Sequence, residues 1–444
     1  MRPNVNLMKA TLTGALGGLL FGFDTVVISG AIDALVKLYG LSPQLKGWTV
    51  AIALVGTVVG ALSAGVVGQK LGGRETLRIT AVLYVVSAVG SGLAWSWPAL
   101  MVFRFIGGLG IGASSVLGPV YIAELAPAKW RGRLVGAFQF NVVFGILVAY
   151  VSNYWIHLLN LGSAEWRWQV GVAAFPAVGF LALLFGIPRS PRWSASKNRI
   201  DEALAVLKLM GDPDPDAELA DIRAALKQEH ASAHEPVFRW KYRYPLFLAI
   251  SIGAFNQLAG INAILYYLPS IFASAGFSQV SGLQQSIAIG ATNFLFAIVG
   301  VSLIDKVGRK TLLLLGAAGT ATCLAGVAWL FATNSHPGAL VWLLVLYIAF
   351  FSMSQGAVIW VYIGEVFPTS VRSKGQGVGS ASHWILNAAI ALEFPVVAHT
   401  MSTQTPFVFF AVMTVIQFVV VLFTYPETKG QTLEALQRRL VPSQ

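Results

Sequence analysis

Long stretches with almost no charged residues recur along the whole sequence, and they constrain the fold more than any other feature. A helix needs about 20 apolar residues to cross the roughly 30 Å hydrocarbon core of a bilayer. A chain built from such stretches is predicted to be an all-α membrane protein with twelve transmembrane helices. The predicted spans cover residues 8–31, 48–68, 79–98, 99–123, 134–156, 168–187, 245–274, 283–304, 311–333, 338–364, 376–399 and 405–425.

The charged residues are few, and the basic ones lie mostly on one side of the predicted membrane. Only 11% of the residues are charged, against about 25% in soluble domains. If both termini are cytoplasmic, the outer segments hold only Lys37, Lys46 and Arg167, and Arg104 lies inside a span. The other 26 of the 30 Lys and Arg residues are then cytoplasmic, in agreement with the positive-inside rule. The net charge of +11 therefore reflects topology in a lipid bilayer and does not indicate nucleic-acid binding.

Two motifs occur twice, once in each half of the chain. GQKLGGRETL at 68–77 is similar to IDKVGRKTLL at 304–313. YIAELAPAKWRGRLVG at 121–136 is similar to YIGEVFPTSVRSKGQG at 362–377, and both copies carry a Glu followed seven positions later by an Arg. Such an internal repeat is typical of transporters built from two related halves.

The repeat predicts two six-helix bundles joined by a polar segment. The N-terminal bundle covers residues 1–187 and the C-terminal bundle covers residues 245–425. Residues 188–244 are predicted to form short amphipathic helices that link the bundles on the cytoplasmic side. Residues 426–444 are predicted to be a cytoplasmic tail.

Four further motifs carry a resemblance to a known family. They are GGLLFGFDTVVISG, RFIGGLGIGASSVLGPVYIAELAPAKWRGRLVGAFQF, NQLAGINAILYY and PETKG. Together, over nearly the whole length, they resemble the sugar porter family of the major facilitator superfamily. The resemblance implies the major facilitator fold, alternating access, a central monosaccharide site and inward proton symport.

Several positions depart from the family pattern. The loop that starts at Gln69 lacks an acidic residue and one Arg, and Arg189 stands where the family has Glu. Asn256 replaces the first of two Gln residues in span seven, Ala357 replaces a Pro, and His383 replaces an amide. These changes leave open which sugar is bound, among glucose, xylose, fructose, galactose and inositol. The reversed charge at Arg189 predicts a weaker cytoplasmic ion-pair network.

Asp24 is the one charged residue in the stretch 17–30 of the first span, and Arg104 lies inside the fourth. A charge at mid-membrane costs roughly 2.5–3.5 kcal/mol, so such residues usually face a cavity or a partner. At 1.5 Å per residue, Asp24 is ~24 Å from the inner end of its helix and Arg104 is ~8 Å from the outer end of its own. The two side chains are therefore predicted to lie at similar depth and to exchange a proton, or else to form a static ion pair. Proton-coupled members of the resembled family carry Asp at this position, whereas the mammalian facilitative glucose transporters carry Asn.

Amides and aromatic rings within the spans are predicted to bind the sugar. Amides donate and accept hydrogen bonds without carrying charge, and aromatic rings cover the apolar face of a sugar. One such amide is usually a contact between helices, but six at sugar-binding positions of the resembled family favour a substrate site. The predicted ligands are Phe21, Gln139, Asn256, Gln257, Asn262, Asn293, Trp360, His383, Trp384 and Asn387.

Two further groups of residues are predicted to control access to the site. By resemblance, Tyr266 and Tyr267 form an extracellular gate, and Glu393 lies at the outer mouth or acts as a second proton carrier. Charged residues at the cytoplasmic ends of the spans are predicted to form a salt-bridge network that joins the two halves. Its members are Arg74, Glu124, Arg131, Arg192, Arg309, Glu365 and Arg372.

The sequence therefore predicts a proton-coupled symporter for a hexose or pentose, working as a monomer in a cell membrane, with a bacterial inner membrane as the expected location. The close alternative is a proton-independent facilitator. A polyol or organic-acid porter and a non-transporting sugar sensor are less favoured, because Arg104 is the only candidate to bind an acid and the tail after the last span is short. No metal-ligand cluster, nucleophile or cofactor fingerprint is present, so neither an enzyme nor a cofactor is predicted.

Overall fold

A computed structural model describes residues 4–127, 130–232, 235–368, 371–431, 436 and 439–440. All regular structure in these residues is helical. Lys129 and most of the predicted tail beyond Gln431 lie outside the described residues.

The chain divides into two compact units. The first comprises Met1–Ala31 and Ile52–His234, and the second comprises Ile32–Ala51 and Glu235–Gln444. The predicted linker thus groups mainly with the first unit, and the outer parts of the first two helices group with the second. The division into two six-helix bundles with a separate linker remains a prediction.

The first ten helices overlap all of the predicted N-terminal spans, although the span predicted at 79–98 ends earlier, at Gly92. They are α1 Val5–Tyr39, α2 Pro43–Leu71, α3 Gly73–Gly92, α4 Trp97–Leu125, α5 Arg131–Leu158, α6 Glu165–Gly171, α7 Ala174–Leu183, α8 Pro191–Ser196, α9 Ile200–Met210 and α10 Pro215–Ser232.

Nine helices follow in the second half. They are α11 Arg243–Leu258, α12 Ile261–Tyr266, α13 Leu268–Ser274, α14 Gln279–Val307, α15 Arg309–Thr333, α16 Pro337–Met353, α17 Gln355–Glu365, α18 Arg372–Thr400 and α19 Thr405–Thr424.

Eleven helical stretches in the described part of the chain are long and apolar enough to cross a membrane. The remaining predicted span, 79–98, corresponds to α3, which has 20 residues. Arg74, Glu75 and Arg78 occupy its first two turns and make α3 less apolar than the other long helices. The length and apolar character of the other helices establish a multi-pass membrane protein.

Close backbone packing fixes α1 and α4 within the first unit. A Cβ atom at Gly22 would lie 1.9 Å from the carbonyl oxygen of Val142 on α5, and one at Gly108 would lie 2.0 Å from that of Ala53 on α2. Small residues let transmembrane helices approach this closely. Asp24 lies two residues after Gly22 and Arg104 one turn before Gly108, so these contacts set the positions of both charged residues.

The two sequence repeats adopt the same local geometry. Gly72 precedes α3 with φ +91° and Gly308 precedes α15 with φ +102°, a backbone region that favours glycine. The hydroxyl of Tyr121 donates to the carbonyl oxygen of Pro188 over 2.7 Å. In the second unit, the hydroxyl of Tyr362 donates to that of Pro426 over 3.1 Å.

The seventh predicted span is broken into α11, α12 and α13. Gly260 separates the first two helices with φ +83°. The carbonyl freed by the break, that of Ala259, accepts a hydrogen bond from Tyr347 at 2.8 Å. Irregular backbone at membrane depth requires such partners.

Candidate functional site

The predicted contact between Asp24 and Arg104 is present in the first unit, and it is loose. Both residues are buried, with 5% and 2% of their surface exposed. Arg104 Nη1 lies 3.4 Å from Asp24 Oδ1 and 3.4 Å from the main-chain oxygen of Asp24. Hydrogen bonds between charged groups usually measure about 2.7–2.9 Å. The guanidinium group is thus close enough to neutralise the carboxylate without a tight bond.

One oxygen of the Asp24 carboxylate has no hydrogen-bond partner among the described residues. This oxygen is Oδ2, and Arg104 Nε also has no partner within the part of the chain that the structure describes. A Cβ atom at Gly107 would lie 3.3 Å from this oxygen and 2.4 Å from the hydroxyl of Ser87, so the glycine leaves the oxygen room. A buried carboxylate oxygen without a partner is costly, and protonation removes that cost.

Three of the predicted amides of the second unit form a connected cluster around Gln257. Gln257 Oε1 accepts from Asn262 Nδ2 over 3.1 Å, and Gln257 Nε2 donates to Asn256 Oδ1 over 3.0 Å. Gln257 Nε2 also lies 3.2 Å from both ring nitrogens of His383. Equal distances place the amide over the imidazole face rather than in line with one lone pair. The amide of Gln257 is therefore held from both ends.

Aromatic rings enclose His383. Its ring centroid lies 5.2 Å from that of Trp360 and 5.0 Å from that of Trp384. The Trp384 contact is edge-on, at 85°. Trp360 is 37% exposed, so an aromatic face remains available to a ligand.

The other predicted sugar ligands make different contacts. Asn387 exchanges hydrogen bonds with the hydroxyl of Tyr266 at 3.2 and 3.1 Å, and Asn293 accepts from Ser352 over 2.7 Å. In the first unit, Gln139 is exposed on α5 and Phe21 is half-buried on α1.

The two predicted gate tyrosines lie where α12 meets α13, and both are buried. The hydroxyl of Tyr267 donates to the carbonyl oxygen of Ala391 over 2.8 Å, and its ring stacks on Phe394 at 5.3 Å. Tyr266 and Tyr267 therefore both attach this segment to α18. Glu393, on the same stretch of α18, is exposed.

Part of the predicted cytoplasmic network is present in the second unit. Arg309 contacts Glu365 at 2.8 Å and Asp305 at 2.9 Å. Glu427, from the PETKG motif, accepts hydrogen bonds from the backbone N–H groups of Arg309 and Lys310 at the start of α15. Burial works to raise the pKa of Glu427, but these and two further backbone N–H donors hold it below its usual value.

The first unit contains an ion-pair centre that the sequence analysis missed. Glu75 accepts from Arg74 at 2.6 Å and from Arg78 at 2.9 Å, and Arg189 lies 3.7 Å away. Glu75 was overlooked because charged residues near helix ends are common and the sequence does not indicate its partners. Arg189 therefore has an acidic neighbour that the sequence analysis did not predict, and the weaker cytoplasmic network remains a prediction.

The remaining predicted network residues have local contacts. Arg131 donates to the carbonyl oxygen of Ala123 and lies 3.5 Å from Glu218 on α10. Arg372 donates to the carbonyl oxygen of Phe367. Glu124 and Arg192 are half-buried at the end of α4 and in α8. The network that joins the halves remains a prediction.

Comparison with known proteins identifies the family. A model of the family described as "Sugar (and other) transporter" matches residues 10–440. The chain belongs to this sugar transporter family. It is 35% identical to the arabinose-proton symporter of Bacillus subtilis (strain 168), with 99% of this chain and 98% of the relative covered. It is 34% identical to the D-xylose-proton symporter of Escherichia coli (strain K12), with 97% and 95% covered.

Solved structures agree with this assignment. The sugar transporter described here matches the inward-open xylose transporter XylE from E. coli with a TM-score of 0.87 and 32% identity, over 98% of this chain and 99% of that one. A structure of the major facilitator superfamily proton:xylose symporter XylE matches with a TM-score of 0.81. The predicted family and the major facilitator fold are therefore confirmed, and the family is one of transporters rather than enzymes.

Proposed function

We propose that this chain is a proton-coupled monosaccharide symporter that works by alternating access, with a pentose or a hexose as its substrate. The observation that carries the proposal is the buried Asp24–Arg104 pair with its unpartnered carboxylate oxygen. The activities of similar proteins, arabinose-proton and D-xylose-proton symport, support it.

Asp24 is the proton-binding group in this proposal. In its ionised form it attracts Arg104, and a proton added at Oδ2 removes that attraction, because a neutral carboxyl no longer pairs with a guanidinium group. The 3.4 Å contact makes the exchange easy, since little hydrogen-bond energy is lost when the two groups separate. Protonation thus changes the contact between α1 and α4, and this change links proton binding to helix movement.

The sugar is bound by the amide cluster of the second unit. Asn256, Gln257 and Asn262 already orient one another, so they present fixed donors and acceptors to hydroxyl groups. Trp360 supplies an apolar face. Gln139 and Phe21 from the first unit, with Asn293, His383, Trp384 and Asn387 from the second, complete the proposed set.

The chain is further proposed to act as a monomer in the lipid bilayer of a bacterial inner membrane, with both termini cytoplasmic. The distribution of basic residues supports this orientation, because 26 of 30 Lys and Arg residues then face the cytoplasm. Protons and a neutral sugar are its proposed partners, and nucleic acid is not.

Uptake into proteoliposomes tests the function. Purified protein is assayed with arabinose, D-xylose and D-glucose, with and without an inward pH gradient. We expect at least one sugar to accumulate against its own gradient, and a protonophore to abolish that accumulation. Equilibration without accumulation under every gradient would identify a facilitator instead.

A further inference from the structure

Three polar side chains from three helices meet within the second unit. Lys46 of α2 lies 3.0 Å from Asp33 Oδ1 on α1, and it donates to the hydroxyl of Ser270 on α13 over 3.1 Å. The hydroxyl of Ser270 in turn donates to Asp33 Oδ1 over 2.8 Å. We call Asp33, Lys46 and Ser270 the outer triad.

The outer triad is closed, because each member contacts the other two. A hydroxyl donates one hydrogen bond and accepts others, so Ser270 satisfies both neighbours at once. The Lys46 side chain is only 20% exposed, whereas Asp33 is 44% exposed. A Lys charge that is largely removed from water needs partners, and among the described residues Asp33 and Ser270 accept its hydrogen bonds.

The outer triad acts on the segment proposed as the gate. Ser270 lies three residues after Tyr267, so the two side chains share a helix face. Lys46 Nζ also lies 5.8 Å from the centroid of the Tyr267 ring, within cation–π range. Tyr267 in turn bonds to Ala391 of α18. Lys46 therefore links α1 and α2 to the α12–α13 segment at the point where that segment is attached to α18.

The α12–α13 segment is suited to move. Gly260 at φ +83° separates it from α11, and Tyr267 interrupts it. A segment of short helices with breaks opens locally at lower cost than a continuous helix. Side-chain contacts such as those of the outer triad then decide how often it opens.

We infer that Lys46 is a positioning residue which, through Asp33 and Ser270, holds the α12–α13 segment closed over the outer end of the second unit. This inference rests on the proposed function and on the predicted extracellular gate at Tyr266 and Tyr267. Neither Asp33 nor Ser270 has a role in the proposed proton or sugar sites. Outer opening requires the triad to separate, so its strength sets how often the outer side opens.

Hydrogen–deuterium exchange on the full-length protein in lipid nanodiscs tests this inference without any substrate. Lys46→Met keeps the side-chain stem and removes the charge. We expect backbone exchange in residues 261–274 to become about three- to tenfold faster, which matches the modest strength of partly exposed ion pairs. Exchange at the start of α15 is expected to stay unchanged.

Three variants separate a gating role from general destabilisation. Lys37→Met removes a charge from the exposed face of the same end of α1 and is expected to leave exchange unchanged. Lys46→Arg keeps the charge and should restore slow exchange. Asp33→Asn should reproduce the effect of Lys46→Met, and combining the two should add little, because both remove the same interaction.

Transport gives the second readout. If the triad holds the outer side closed, Lys46→Met should lower the KM for external sugar by about two- to threefold, because the outward-open state gains population. The same change should lower kcat, because the outer side closes less readily. Unchanged exchange in residues 261–274, or an equal rise in every helix, overturns the inference. Failure of the wild-type protein to transport any sugar would overturn the proposed function. The exchange measurement would still test whether the outer triad holds the α12–α13 segment closed.

Discussion

Arg189 Nη2 lies 3.7 Å from Glu75 Oε1, so the residue that reverses the family charge meets an acidic partner on α3. In the second unit, Glu427 occupies the equivalent position after the last helix and binds the first backbone N–H groups of α15. In the first unit the charges are arranged the other way round: the carboxylate of Glu75 lies on the helix, and the basic side chain of Arg189 lies on the later segment. Both arrangements attach that segment to the start of a helix.

Arg189→Glu is therefore expected to destabilise the protein rather than to strengthen its cytoplasmic side. The new carboxylate would lie close to Glu75, and like charges repel. Because both side chains are roughly a quarter exposed, the loss should be about 1 kcal/mol or less. Thermal unfolding in detergent measures it, with Arg189→Gln as the neutral control. If Arg189→Glu is still less stable when Glu75 is changed to Gln, the repulsion is not with Glu75.

Asp24→Asn should abolish proton-driven accumulation while sugar exchange continues. Asn cannot ionise, so the pair with Arg104 stays permanently in the state that protonation produces. The matched control is Glu393→Gln, which removes an exposed carboxyl from α18 and should accumulate sugar normally. The measurements are uphill uptake and counterflow in proteoliposomes. Normal uphill uptake by Asp24→Asn would contradict the proposed role of Asp24, and lost uptake in Glu393→Gln would point to a second proton carrier.

Gln257→Ala should weaken sugar binding by at least about tenfold, because each lost hydrogen bond is worth about 0.5–1.5 kcal/mol and the amide also orients its neighbours. Quenching of tryptophan fluorescence by the sugar measures the affinity, since Trp360 and Trp384 adjoin the cluster. Gln417→Ala removes another buried amide of the second unit and serves as the control. Wild-type affinity in Gln257→Ala would exclude the cluster around Gln257 as the sugar site.

Glu427→Gln should lower the free energy of unfolding by about 1 kcal/mol at neutral pH, as expected for a carboxylate at a helix start. The pKa of Glu427 is lowered in the folded state, so its stabilising effect is complete above its usual pKa of 4.5. The effect is lost as the pH falls through the lower folded value. Unfolding curves of the two proteins should therefore converge below about pH 4.5. A difference that persists unchanged at pH 3 would show that the charge of Glu427 is not responsible.

The helices and the repeat were predictable because lipid imposes a simple rule on sequence. Every spanning segment must be long and nearly uncharged, so the spans could be identified from the distribution of charged residues in the sequence. The helix ends were less predictable: α1 covers Val5–Tyr39, whereas its predicted span is 8–31. The polar residues at both ends continue the helix outside the hydrocarbon region, where hydropathy carries no signal.

Contacts between distant side chains were predicted unevenly. Asp24 and Arg104 were predicted to lie close together because two charges within spans have few alternative partners, and the structure places them 3.4 Å apart. Glu75 and Lys46 were not assigned a role, because charges near helix ends are common and their sequence gives no partner. In the sequence, Lys46 served only as evidence for topology. Its contact with Ser270 was not predicted, because the two residues lie 224 positions apart.

The contact between Glu427 and the start of α15 also constrains the order in which the protein is assembled. Glu427 lies 118 residues after Arg309, whose N–H group it binds. At about 5–20 residues per second, the ribosome needs roughly 6–24 s to synthesise the residues between them. During that interval the first turn of α15 exists without its carboxylate. A nascent chain arrested shortly before residue 427 would therefore present an uncapped, basic helix start at the membrane surface, and the last helices would be fixed in place only after α19 has been inserted.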